Sequence, residues 1–153
     1  MSTHFSLAPE AVGMANALAK SDIFEELADR FAQVYGLDRE AVLAGLNARE
    51  AIGSTGFGRG VAIPHARVEF LRRPVAVFLQ LGVPVDFDAA DGDPVDLVFG
   101  LVSPQNAGVS HLQALAAISR LMRDAQMRQA LADASEPDAL FSLLTNVIER
   151  DAA

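Results

Sequence analysis

Two continuous apolar runs place the strongest constraint on how this chain of 153 residues can fold. Residues 75–81 and 95–102 are short, rich in β-branched side chains and bounded by proline or glycine. Such runs are typical of strands that are buried on both faces, whereas a strand with one wet face alternates apolar and polar residues. Asp91-Gly92, which lies between the runs, predicts a turn.

Two helical patterns precede these strands. Ser21 is the predicted N-cap of a helix that ends at Gly36, and Asp38 is the predicted N-cap of a second helix. A glycine-rich loop over residues 53–60 follows the second helix. The apolar positions at helical spacing are Ile23, Leu27, Phe31 and Val34 in the first helix, and Val42, Leu43 and Leu46 in the second.

Two more helical patterns follow the strands. Ser110 and Gln113 match a capping box that opens a third helix, and a last helix is predicted from about Glu136 with Ser135 as its N-cap. Their predicted buried positions are Leu112, Leu115, Ile118 and Met122, then Leu140, Leu143, Leu144, Val147 and Ile148. Helices on both sides of central strands predict an α/β (or α+β layered) fold with a central mixed β-sheet. We expect a single domain over residues 1–153, with residues 1–6 as a flexible tail.

Composition narrows the classes of function. The net charge of −8 and the sequence pI of about 4.7 argue against nucleic acid as a partner and favour a basic protein partner. The absence of cysteine excludes disulfides, a thiolate nucleophile and cysteine-based metal sites. No signal-peptide pattern and no apolar run of about 20 residues is present, so we expect a cytoplasmic protein without membrane insertion.

His65 is the candidate nucleophile, because it follows the glycine-rich loop and the segment Ile63-Pro64. Pro64 fixes its own φ and biases Ile63 towards extended geometry, while the glycines allow sharp turns and close backbone approach. Imidazole, with a reference pKa of about 6.5, is largely unprotonated near pH 7 and can accept phosphorus reversibly. The local sequence leaves open the alternative that His65 is a structural histidine closing a turn.

Two blocks of sequence occur in an order that is typical of one family. The first contains Ala48-Arg49-Glu50, Gly53-Ser54-Thr55-Gly56 and Ala62-Ile63-Pro64-His65, and the second contains Leu101-Val102-Ser103-Pro104 and His111-Leu112-Gln113-Ala114-Leu115-Ala116. Together they resemble enzyme IIA domains of the phosphoenolpyruvate-dependent phosphotransferase system, of the mannitol/fructose/nitrogen-regulatory type. The resemblance implies a phosphocarrier without a cofactor, whose phosphoryl donor is a histidine-containing phosphocarrier protein.

The resemblance also implies the roles of three site residues. His65 is the implied phosphoryl acceptor, His111 supports the phosphorylated form without carrying phosphate, and Arg49 binds phosphoryl oxygens. A histidine directly after an N-cap at Ser110 would also be kept neutral by the helix dipole. From local sequence alone, an exposed helix-start histidine and a surface ion pair of Arg49 remain the alternatives.

The glycine-rich loop supplies the candidate binding residues, which are Gly53, Ser54, Thr55, Phe57 and Arg59. At position 59 the family often has a smaller polar or acidic residue, so Arg59 either adds positive charge near phosphate or is solvated. The loop has neither the Gly-Lys-Ser/Thr ending of a Walker loop nor G-x-G-x-x-G spacing, which argues against nucleotide binding.

Metal binding is not predicted. His65 and Glu69 lie four residues apart, but no third ligand follows at a useful spacing, and Arg67 between them opposes a cation. His4 is expected to be incidental.

The predicted function is therefore that of a stand-alone phosphocarrier with a nitrogen-regulatory signalling role, acting on regulatory target proteins. The alternative is a sugar-specific IIA component that passes phosphate to a separate IIB permease component of fructose or mannitol type. A third hypothesis is an interaction module that is no longer phosphorylated, and the presence of both His65 and His111 argues against it. The donor is expected to dock near Phe57 and Phe70, attracted by the acidic charge.

Overall fold

Six strands form one mixed β-sheet. A computed structural model of the chain describes residues 4–152, with side chains described as far as residue 146. The strands are β1 (Val12–Ala15), β2 (Gly56–Gly58), β3 (Val61–Ala62), β4 (His65–Val68), β5 (Val75–Val85) and β6 (Val95–Pro104). Their order is β1-β5-β6-β3-β2, and β4 also pairs with β6. The β5–β6 and β2–β3 pairs are antiparallel, whereas β1 runs parallel to β5, and β3 and β4 run parallel to β6.

Helices cover both faces of this sheet. They are α1 (Lys20–Tyr35), α2 (Arg39–Ile52), α3 (Val109–Arg123), α4 (Ala125–Asp133) and α5 (Pro137–Ala152), and a short 3₁₀ helix spans Pro9–Ala11. One buried cluster packs α1 and α2 against Val77 and Leu79 of β5. A second cluster packs α3, α4 and α5 against Ala76 and Phe78, the alternate residues of the same strand. Alternation along a strand explains why both apolar runs are buried on both faces.

The predicted fold class and both predicted strands are confirmed. The strands extend beyond the apolar runs, because residues 82–85 and 103–104 continue them. Asp38 caps α2 as predicted, since its side chain accepts hydrogen bonds from the backbone N–H groups of Glu40 and Ala41. Gly36 ends α1 in the left-handed conformation that glycine tolerates.

Two predicted helix starts are wrong. Ser21 is not an N-cap, because α1 begins at Lys20 and the carboxylate of Asp22 reaches back to accept hydrogen bonds from Leu18 N and Ala19 N. Ser110 does not cap α3 either, since that helix begins at Val109 after Gly108 and no side chain caps it. The serine-to-glutamine spacing therefore placed the N-cap at Ser110, two residues after the observed N-cap Gly108.

The predicted helical faces need smaller corrections. Leu112 is exposed rather than buried, and Ala114 and Leu121 complete the buried face of α3 with Ile118 and Met122.

The helix α4, whose N-cap is Asp124, was not predicted. The carbonyl of Glu136 accepts from Ala139 N and Leu140 N, so α5 starts one residue later than a cap at Ser135 would give. Leu140 and Leu144 are buried, whereas the side chains of Val147 and Ile148 lie outside the described residues.

The predicted N-terminal tail is too long. Phe5 is fully buried and stacks edge-on against Phe99, while Ser6 bridges to Val75 at the start of β5. Residues 5 and 6 therefore belong to the packed domain, and residues 1–3 lie outside the described residues.

Candidate functional site

His65 is the first residue of β4, at the point where a proline interrupts the pairing with β6. Its neighbour Pro64 has no N–H, but its carbonyl accepts from Leu101 N at 2.9 Å. The carbonyl of Ile63 lies 2.9 Å from Nδ1 of His65. A carbonyl can only accept, so Nδ1 carries the proton and donates it to Ile63.

Arg49 completes the hydrogen bonds of the His65 ring. Its Nε donates to Nε2 of His65 at 3.2 Å, and its Nη1 donates to the carbonyl of Gly53 at 2.8 Å. A guanidinium has no acceptor, so Nε2 holds a lone pair. The ring is thereby fixed as the Nδ1–H tautomer with its lone pair facing a cation. Arg49, in the last turn of α2, is therefore placed at the site rather than in a surface ion pair.

The surroundings of His65 favour its neutral form. Burial is the largest cause that lowers the pKa of His65, and the nearby charges of Arg49 and Arg67 lower it further. The carbonyl of Ile63 and the carboxylate of Glu50 act in the opposite direction without reversing the result. The ring is consequently unprotonated at neutral pH, as a nucleophile must be.

His111 lies beside His65 and is buried. The centroids of the two rings are 5.6 Å apart, at an interplanar angle of 51°. Nδ1 of His111 is 2.6 Å from Oγ of Ser103, a fully buried residue of β6. Burial, followed by the positive charge of Arg67, lowers the pKa of His111 to about 4. His111 is thus a neutral ring in the first turn of α3, not an exposed helix-start residue.

The start of the glycine-rich loop is anchored by a buried carboxylate. Glu50 accepts hydrogen bonds from the backbone N–H and the hydroxyl of Thr55, and pairs with Lys20 Nζ at 2.6 Å. Burial opposes ionisation of Glu50, but these bonds outweigh it and hold the pKa of the carboxyl below its usual value. Ser54 donates to the carbonyl of Phe87 at 3.2 Å. Together these contacts fix residues 53–55 beside Arg49.

The end of the loop lies away from His65. Phe57 and Arg59 belong to the β2–β3 hairpin, where Arg59 adopts φ 58° and its N–H donates to Asp91 at 2.9 Å. The carbonyl of Gly60 meets Asp96 N and Leu97 N of β6, whereas that of Pro64 meets Leu101 N. Four residues of strand separate these levels by about 13 Å. The structure therefore brings Arg49, Gly53 and His111 towards His65, but not Phe57 or Arg59.

Three residues near the site were missed by sequence reasoning. Ser103 holds the ring of His111, and its position in the second family block was an available signal. Arg67 lies two residues after His65 on the same side of β4, which strand alternation would have indicated. Lys20 contacts Glu50 from another helix, and no local pattern could have revealed that contact.

Among the side chains that the structure describes, no three His, Asp or Glu residues converge in a way that could hold a metal. In the described part of the chain, each helix is too short or too polar to span a lipid bilayer.

Comparison with known proteins yields relatives of two kinds. The chain is 41% identical over 139 residues to a nitrogen regulatory protein of Bradyrhizobium diazoefficiens, covering 90% of this chain and 91% of that protein. It is 36% identical over 112 residues to the fructose-specific EIIA component of Haloferax volcanii, covering 73% of each. The crystal structure of the nitrogen regulatory protein IIA-Ntr from Neisseria meningitidis superimposes with a TM-score of 0.83 at 34% identity, covering 90% of this chain and 95% of that one.

A family model covers almost the whole domain. Residues 7–147 match the model described as "Phosphoenolpyruvate-dependent sugar phosphotransferase system, EIIA 2". This match includes every residue of the site described above. The chain therefore belongs to the EIIA type 2 family of the phosphoenolpyruvate-dependent phosphotransferase system.

Proposed function

We propose that the protein is a cytoplasmic phosphocarrier that accepts a phosphoryl group on Nε2 of His65. The donor would be the phosphohistidine of a histidine-containing phosphocarrier protein. The observation that carries the proposal is the pair of hydrogen bonds on the ring, from Nδ1 to Ile63 and to Nε2 from Arg49. That pair leaves the nucleophilic lone pair on the nitrogen beside the guanidinium.

The transfer exchanges one phosphorus–nitrogen bond for another. The lone pair of His65 Nε2 forms a bond to phosphorus while the donor's phosphorus–nitrogen bond breaks, and the donor imidazole leaves with that electron pair. The carbonyl of Ile63 accepts from Nδ1–H and stabilises the positive charge that the ring gains. Arg49 exchanges its contact with Nε2 for the phosphoryl oxygens, whose charge it offsets in a loose transition state.

His111 would stabilise the phosphorylated form without carrying phosphate. If the buried hydroxyl of Ser103 donates to Nδ1, the neutral ring keeps its proton on Nε2 and can donate to a phosphoryl oxygen. The first-turn amides of α3, which have no partners within the helix, add further donors. Because the pKa of His111 is lowered to about 4, the ring that faces His65 is neutral at pH 7 and has a single N–H to donate.

The output we favour is nitrogen-regulatory signalling, in which phosphorylation changes binding to target proteins. The relative with 41% identity over most of both chains supports this branch. The alternative is transfer to a separate IIB component of fructose or mannitol type, which the fructose-specific relative supports. Rapid transfer of phosphate from His65 to an added fructose-type IIB domain would establish the sugar branch. A protein that stays phosphorylated in the presence of that domain would support the regulatory branch.

The phosphorylation itself is tested by intact mass. The protein is incubated with phosphoenolpyruvate, enzyme I and the phosphocarrier protein, and we expect one acid-labile, base-stable phosphoryl group. The variant His65→Ala should acquire none, and His111→Ala should acquire it more slowly or lose it faster. His4→Ala, which removes the histidine outside the site, serves as the control and should behave as the wild type. A normal yield on His65→Ala would show that the acceptor is another residue.

A further inference from the structure

Glu50 is a buried carboxylate to which the proposed reaction gives no part. Its side chain is only 7% exposed, in the last turn of α2 directly after Arg49, and it pairs with Lys20 Nζ at 2.6 Å. Taking both charges out of water is costly, and a buried ion pair is often no more stabilising than apolar residues of similar volume. Stability alone therefore does not explain why a carboxylate lies here.

A continuous series of hydrogen bonds runs from Glu50 to the ring of His65. The carboxylate accepts from the hydroxyl and the backbone N–H of Thr55, with 3.0 Å between Thr55 N and Oε2. The carbonyl of Thr55 accepts from Ile63 N at 3.0 Å. The carbonyl of Ile63 in turn accepts from Nδ1 of His65 at 2.9 Å. These four residues, which we call the Glu50 network, join the carboxylate to the ring nitrogen opposite Nε2.

The hydrogen bonds of the Glu50 network all have the same direction. Each N–H points towards Glu50 and each carbonyl towards His65, so the bonds polarise one another and negative charge faces Nδ1. The charge of Glu50 acts to raise the pKa of His65, although burial and the charges of Arg49 and Arg67 outweigh it. A bond from Nε2 to phosphorus places positive charge on this ring, and the network stabilises that charge.

The carboxylate is held in its ionised form and in one place. Burial raises the pKa of Glu50, but the hydrogen bonds from Lys20 and Thr55 outweigh it and leave the pKa below its usual value. Lys20 Nζ lies 4.6 Å from the centroid of the Phe87 ring, and the carbonyl of Phe87 accepts from Ser54 Oγ. The cation, the carboxylate and the start of the glycine-rich loop therefore form a closed set of contacts.

We propose that Glu50 is a positioning residue for phosphoryl transfer and acts on His65 through Thr55 and Ile63. It holds the carbonyl of Ile63 against Nδ1–H, and its charge stabilises the positive ring that forms when phosphorus is bound to Nε2. No proton is consumed, because Nδ1 keeps its own and Glu50 stays ionised throughout. The proposal rests on the proposed function, but the effect of Glu50 on the ring is measurable before any phosphoryl group is transferred.

The first test is the pKa of His65 in Glu50→Gln, measured by NMR titration of the unphosphorylated protein with ¹⁵N-labelled histidine. Glutamine keeps an oxygen that can accept from Thr55, and Lys20, which is 24% exposed, can turn to water. We expect the pKa of His65 to fall, because a charge that raises it is removed. The control is Glu40→Gln, the same charge change at an exposed position in the first turn of α2, and it should leave the pKa as in wild type.

The sign of the change separates the proposal from a purely structural role. If Glu50 only held the loop in place, its loss would admit water to the ring and raise the pKa of His65 towards 6.5. A raised or unchanged pKa in Glu50→Gln would therefore overturn the proposal.

Glu50→Ala removes the contact with Thr55 together with the charge. We expect the Nδ1–H proton of His65 to exchange with water at least about tenfold faster than in wild type, since the carbonyl of Ile63 is no longer held against it. Glu40→Gln should exchange at the wild-type rate. Wild-type exchange in Glu50→Ala would show that Glu50 does not position that carbonyl.

The second test is transfer from the phosphocarrier protein by quench-flow at pH 8, where His65 is neutral in each variant. We expect Glu50→Gln to lower the maximal rate about tenfold and to shift the exchange equilibrium towards the phosphorylated donor. The donor concentration for half-maximal rate should not change, because Glu50 is buried. A wild-type rate and equilibrium in Glu50→Gln, or equal slowing by Glu40→Gln, would contradict the proposal.

Failure of this proposal and failure of the proposed function give different results. If wild type acquired no phosphoryl group on His65, the proposed function would fail, while the pKa of His65 in Glu50→Gln would still decide whether Glu50 acts on the ring. If wild type were phosphorylated on His65 and Glu50→Gln matched it in pKa, rate and equilibrium, the role of Glu50 alone would fail.

Discussion

Replacement of His111 by glutamine should reduce the loss of folding stability that accompanies a fall in pH from 7 to 4.5. His111 is only 4% exposed, and its pKa is lowered from 6.5 to about 4 in the folded protein. The unfolded chain therefore binds the proton first as the pH falls, and folding stability decreases between about pH 6.5 and pH 4. Above pH 6.5 both states are neutral at this residue, and the contribution disappears.

The size of the effect follows from the shift. One pKa unit corresponds to about 1.36 kcal/mol, so the whole shift is worth about 3.4 kcal/mol. Between pH 7 and pH 4.5 the linkage relation gives a loss of about 2.4 kcal/mol from this residue alone. Carboxylates also titrate in this range, but they contribute to the wild type and to the variant alike.

The assay is urea denaturation followed by circular dichroism at pH 7 and pH 4.5. The wild type should lose about 2.4 kcal/mol more of its free energy of unfolding than His111→Gln between the two values. Leu112→Gln, on the neighbouring exposed residue of the same helix, introduces the same side chain and should lose as much as the wild type. Equal losses for His111→Gln and wild type would refute the inference that His111 is buried as a neutral ring.

Three further predictions concern the proposed nucleophile and its loop. Arg49→Lys keeps the charge but loses the planar donor fork, so quench-flow measurement should show phosphorylation of the variant at least about tenfold slower, and a wild-type rate would contradict the role of Arg49. Because burial holds the pKa of His65 below 6.5, the rate should fall as the pH is lowered with a midpoint below pH 6.5; a midpoint at or above 6.5 would contradict the observed environment. Gly56→Ala would place its Cβ 2.6 Å from the Cβ of Ala89 and should lower the free energy of unfolding by about 1–3 kcal/mol in urea, whereas Gly53→Ala, with nothing within 4 Å, should cost much less.

The fold was predictable where a local pattern has one physical outcome. The runs at 75–81 and 95–102 are short, rich in β-branched residues and bounded by proline or glycine, which favours strands buried on both faces, and Asp38 had backbone N–H groups to cap. The helix start at Ser21 failed because a polar residue near a helix end can be inside the helix and bond back to the backbone before it, as Asp22 does with Leu18 N and Ala19 N. The start at Ser110 failed because a helix can begin without a side-chain cap, as α3 does after Gly108.

The site was predictable in part because the family blocks carry its main residues. They identified Arg49, His65 and His111, which the fold brings together from two helices and a strand. Local spacing could not reveal that Ser103 orients His111, because such a contact depends on how α3 packs against β6. Nor could the net charge reveal a positive field at the site, since that field depends on where Arg67 and its neighbours lie.

The most direct test of the central claim is the nitrogen that carries phosphorus. The protein with ¹⁵N-labelled histidine is phosphorylated by the phosphocarrier protein and examined by long-range ¹H–¹⁵N correlation with detection of ³¹P coupling. We predict coupling of phosphorus to Nε2 of His65, while Nδ1 keeps its proton in the hydrogen bond to Ile63. Coupling to Nδ1 of His65, or to either nitrogen of His111, would contradict the account.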